Sequence, residues 1–68
     1  MANLIEGLQA EMNRVRELQK DYENLPGGVG QFAVAFMKLR IKEGEEAIAS
    51  GDALKMAGAL QELQDFTE

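Results

Sequence analysis

Pro26, Gly27, Gly28 and Gly30 stand immediately before the apolar run Phe32-Ala33-Val34-Ala35-Phe36-Met37, and no other stretch limits the possible folds as much as Leu25 to Ile41. Pro26 biases Leu25 toward an extended backbone, and the glycines accept angles that residues with a Cβ avoid. A helix therefore has to stop before this loop, and another begins after it. Between Gln31 and Gly44 there is no glycine or proline. A helix that is apolar on every side needs cover on every side, yet a neighbouring helix packs along only one line of ridges and grooves. The remaining side calls for a third helix or a second chain.

Upstream of the loop, Asn3 and Glu6 have the spacing of a capping box, which predicts a first helix from near Leu4. Leu4, Leu8, Met12, Val15, Leu18, Tyr22 and Leu25 recur every three or four residues and form one apolar stripe. Glu11, Arg14, Glu17 and Lys20 mark the opposite, polar face. Gly7 either frays the first turn or lets another backbone approach. Downstream, the second helix is expected from about Val29 to Ser50. Phe32, Ala35, Phe36 and Leu39 lie on one side of it, and Val34, Met37, Ile41, Gly44 and Ile48 on another. Gly51 suits the residue after a helix C-terminus, and Asp52 suits the N-cap of a third helix from Ala53 to about Phe66. Leu54, Met56, Ala57, Leu60, Leu63 and Phe66 form its apolar set, and Ala57-Gly58-Ala59 reads as a place of close helix approach. Thr67 and Glu68 are expected to fray.

The expectation is one all-α domain over residues 1–68, two long helices forming a hairpin plus a shorter C-terminal helix. A core of this size supplies only about 3–5 kcal/mol unless something supplements it. The chain has neither cysteine nor histidine, which removes disulfides, thiolate or imidazole metal ligands and histidine catalysis from consideration. Self-association is the supplement that is left, with Phe32, Phe36, Met37, Leu39 and Ile41 assigned to the subunit interface. Met1 reads as the native start, no apolar run approaches a membrane span, and a cysteine-free chain fits a reducing cytoplasm. Twelve acidic residues against seven basic ones give a net charge of −5, which disfavours direct binding to nucleic acid or an anionic membrane.

Little in the chain suggests catalysis. Glu43, Glu45 and Glu46 read as a solvated face, since neighbouring helical positions diverge in direction, and no metal or cofactor is expected. Ser50 and Thr67 have no base beside them, so the chain reads as a binder and not an enzyme. The glycine loop has two readings: a tight interhelical turn, or a site where the free N–H groups and dipole of the second helix meet a phosphate or carboxylate. For the second reading the candidate contacts are Gly27, Gly28, Gly30 and Gln31, with Lys20, Tyr22 and Arg16 brought up by the hairpin. Lys38 and Arg40 lie farther along the second helix and are expected to join only from another chain.

Leu25-Pro26-Gly27-Gly28, Gly30, Glu46-Ala47-Ile48-Ala49-Ser50-Gly51-Asp52, Met56 and Leu63 together resemble a type of short helical accessory protein encoded in tailed phages and prophages. The similarity runs from Tyr22 to Leu63. It implies a protein working in the cytoplasm of an infected bacterium, by stoichiometric binding that counters host defence. Two functions follow as expectations. One is an oligomer that sequesters an anionic nucleotide signal at the glycine loop. The other is an inhibitor or adaptor that occupies a host protein through its apolar or acidic helical surface.

Overall fold

A computed structural model describes residues 3–66 and is all-helical. Helix α1 spans Leu4–Glu23, α2 spans Gln31–Ser50 and α3 spans Ala53–Gln64, with one 3-10 turn at Pro26–Gly28 between α1 and α2. The expectation for Thr67 and Glu68 lies outside the described residues. Each boundary has a local cause. The Asn3 side chain accepts a hydrogen bond of 2.8 Å from the Glu6 N–H and starts α1. Gly51, at φ 71°, ends α2 in the left-handed conformation. Asp52 then caps α3 by accepting from the N–H groups of Leu54 and Lys55 at 2.9 and 3.2 Å. Helix α2 begins at Gln31 and not at Val29, because the turn occupies the intervening residues. Helix α3 ends at Gln64, short of Phe66.

All three helices share one core. Leu8, Met12, Val15 and Leu18 of α1 meet Met37, Ile41 and Ala47 of α2 and Met56, Ala59 and Leu63 of α3, while Leu4, Tyr22, Ile48, Leu60 and Phe66 pack around them half-buried. The α1 stripe is thus the expected one, except that Leu25 leaves it and stays partly exposed. On α3, Ala59 is buried whereas Leu54 and Ala57 face outward. The close approach falls elsewhere than expected. A Cβ on Gly58 or Gly7 would meet nothing within 4 Å, whereas one on Gly44 would come within 2.9 Å of the Met12 sulfur. At Gly44 α2 lies close against the Leu8 and Met12 side chains of α1.

The two sides of α2 have different fates. Met37 and Ile41, assigned above to a subunit interface, are buried in the chain's own core at 1% and 6% exposure, so they present no surface to a second copy. Phe32, Phe36 and Leu39 remain outside, with 85%, 54% and 47% exposed. The reason is length. Helix α3 has 12 residues against 20 in α2, or about 18 Å against about 30 Å at 1.5 Å per residue. Its last turn reaches only the level of Arg40, whose guanidinium lies 2.8 Å from Glu62. The first turns of α2 extend past it.

Candidate functional site

The glycine loop is seated against the end of α1. The N–H of Asn24 donates to the Lys20 carbonyl at 3.2 Å, and that of Leu25 to the Tyr22 carbonyl at 3.3 Å. Gly27 and Gly28 both have φ of 70°, which is why residues with side chains are unsuited there. Gly30 has ordinary angles but no room: a Cβ would stand 2.5 Å from the Tyr22 carbonyl oxygen. The tight-turn reading is therefore physically realised at all three glycines. Helix α2 nevertheless starts without a capping side chain, unlike α1 and α3 with Asn3 and Asp52, and like α3 it has no acidic residue in its first turn.

Beside this turn an open groove of about 510 Å³ runs between the end of α1 and the start of α2, lined by Tyr22, Glu23, Leu25, Gly28, Gln31, Val34, Ala35 and Lys38. It brings together four of the nine expected contacts: Tyr22, Gly28, Gln31 and Lys38. Lys38 belongs to it within a single chain, contrary to the expectation that it could join only from another copy. The groove follows the α1–α2 seam, so a residue about two turns along α2 still borders it. Among the described residues Lys38 has no carboxylate within ion-pairing distance. Glu23 supplies one negative charge at the rim.

The other five contacts stand apart from the groove. Gly27 does not line it, and Gly30 is buried beneath Tyr22. Lys20 lies 3.3 Å from Glu17, and Arg16 lies 2.9 Å from the Asn13 side chain and 3.3 Å from Glu45. These two border a shallower depression farther along the α1–α2 seam, together with Lys38 and Lys42. Arg40 is on the opposite flank, facing α3, where it bonds Glu43 at 2.7 Å and Glu62 at 2.8 Å. The hydrogen bond to Glu43 raises its pKa above the ordinary value, partial desolvation works against this, and the charge of Glu62 adds to the rise. Sequence reasoning missed Lys42, although its place four residues after Lys38 puts both on one helical face.

A second groove, about 390 Å³ between α2 and α3, exists because Gly58 has no side chain to fill it. Its rim carries Glu43, Glu46 and Glu62 with Lys55, a balance unsuited to an anion. Among the described residues no group of three or more carboxylates converges as a metal site would require. The Ser50 hydroxyl is engaged in the helix junction, donating to the Ala47 carbonyl at 2.8 Å and accepting from the Asp52 N–H at 3.2 Å. No described helix is long and apolar enough to cross a membrane. Comparison with protein-family models, with curated proteins and with solved structures gives no match.

Proposed function

We propose that this chain is a non-enzymatic accessory protein that acts stoichiometrically, as a homo-oligomer holding an anionic nucleotide in the groove beside the glycine loop. The observation that carries the reading is the convergence of Lys38, Gln31 and Tyr22 on that groove. A cation without an ion-pair partner among the described residues, an amide and an aromatic ring can meet phosphate, base edge and base face respectively. In the setting implied by the sequence resemblance, a bacterial cytoplasm during phage infection, such binding would withdraw a defence signal from its receptor. Calorimetry against mononucleotides, cyclic dinucleotides and ADP-ribose derivatives tests it. A binding member of that panel is expected to lose about 1.5–3 kcal/mol when Lys38→Ala removes a charge-assisted contact. If none binds, or if Lys38→Ala binds as well as the wild type, the reading fails.

The 85% exposure of Phe32 favours a second reading, in which the outer side of α2 docks on a host protein. That reading predicts a specific partner whose capture is lost in Phe32→Glu and kept in Lys38→Ala. The nucleotide reading predicts the reverse sensitivity at Lys38.

A further inference from the structure

We propose that a second copy of this chain covers the exposed side of α2 in an antiparallel two-fold pairing centred between Ala35 and Phe36, and that its Lys42 completes the loop groove of the first copy. The apolar stripe is confined to the part of α2 that α3 fails to reach. Centring the pair there sets Phe32 against Leu39 and Phe36 against Ala35, so large side chains meet smaller ones. A parallel pairing in register would stack Phe32 and Phe36 each on its own copy and leave Ala35 facing Ala35.

Charge selects the same arrangement. Beyond Leu39 the stripe of α2 continues through Lys42 and Glu46, both exposed, and the half-buried Glu43, which a parallel pair would set against their own copies. Antiparallel pairing lays all three beside the uncharged segment Leu25 to Val29 instead, and brings the carboxylates Glu43 and Glu46 toward the uncapped start of α2, whose dipole favours them. Leu25 and Val29 are 42% and 76% exposed and lengthen the stripe. With about 200 Å² for a full large side chain, the exposed fractions of Phe32, Phe36, Leu39, Leu25 and Val29 supply about 600 Å² per copy, or about 1,200 Å² in all, just above the least a specific association needs.

The pairing has a consequence for the site. A two-fold axis perpendicular to both helices keeps each flank of α2 on the same flank in the partner, and Lys38 and Lys42 share the α1 flank with the groove. Lys42 of the second copy arrives level with Val29, on the open side of the groove and across from Glu23. The site then holds cations from both chains. The pairing stands without any ligand, whereas the role of Lys42 rests on the nucleotide reading.

Cysteine cross-linking tests both, because the chain contains no cysteine. Val29→Cys combined with Lys42→Cys is expected to give a covalent dimer on oxidation, while each single variant stays monomeric under denaturing conditions. Within one chain the two positions lie about 20 Å apart at 1.5 Å per residue, too far for a disulfide, which needs Cα atoms within about 7 Å. Circular dichroism of the reduced variants checks that they fold. Failure of the folded double variant to cross-link overturns the pairing, and so does cross-linking of Val29→Cys to itself, the mark of a parallel arrangement. Lys42→Ala is expected to weaken nucleotide affinity about tenfold at unchanged mass. Unchanged affinity, or a wild type that binds no nucleotide, removes the role of Lys42 and leaves the cross-link result standing.

Discussion

Replacing Gly30 by alanine probes whether the loop is as firmly seated on α1 as the geometry requires. The new Cβ would stand 2.5 Å from the Tyr22 carbonyl oxygen, 3.1 Å from the Tyr22 Cβ and 3.2 Å from the Tyr22 carbonyl carbon. Two of these are backbone atoms in the last turn of α1, so no rotamer change relieves the contact. The loop has to lift from the helix. Overpacking of this kind costs about 1–3 kcal/mol, and the reduced freedom of the unfolded chain returns only about 0.4–1 kcal/mol. A net loss of about 1–2 kcal/mol lowers the melting temperature of so small a domain by about 5–15 °C. Gly44→Ala is the matched control. Its Cβ would meet the Met12 sulfur at 2.9 Å, but a thioether can swing aside, and alanine gains about 1 kcal/mol in helix propensity. Thermal melts followed by circular dichroism, at equal protein concentration, should rank Gly30→Ala well below Gly44→Ala. A Gly30→Ala protein that melts with or above the wild type would refute the seating of the loop and, with it, the position of the groove.

Other substitutions separate the core from the outer stripe. Met37→Ala, at a side chain 1% exposed, is expected to cost about 2–5 kcal/mol and to abolish cooperative melting; a stable variant would mean that Met37 is not central. Phe36→Ala, at a side chain already 54% exposed, should keep helicity while losing assembly, as read by circular dichroism and light scattering. Asp52→Ala removes the cap of α3 at a cost of about 0.5–2 kcal/mol, visible as faster amide exchange at Leu54 and Lys55. Unaltered protection there would mean that the cap contributes nothing.

Periodicity and capping chemistry made most of the fold legible in the sequence. The stripe from Leu8 to Leu18, the Asn3 and Asp52 caps and the Gly51 terminator are local features, and each appears where local chemistry puts it. The two sides of α2 were also readable. Which of them the chain itself covers was not, because that depends on how far α3 reaches; periodicity alone cannot tell Met37 and Ile41, which the core buries, from interface residues. Gly44 and Gly58 look alike in a sequence. Only the presence of Met12 opposite one, and of nothing opposite the other, distinguishes them. At the site, Gly28, Gln31 and Tyr22 are legible from composition and the hairpin, whereas Gly27 and Gly30 stand outside the groove. Distance along α2 from its first residue puts Lys38 out of reach of the loop, whereas the groove follows the seam with α1 and so includes it.

The mass of the wild-type protein in solution, measured by light scattering across micromolar concentrations, bears most directly on the uncovered side of α2. Pairing through Phe32, Phe36 and Leu39 predicts twice the 7.5 kDa of one chain or a higher even multiple, falling to a single chain in Phe32→Glu with helicity retained. A wild-type protein of 7.5 kDa throughout that range, folded and cooperative in its melting, would contradict it.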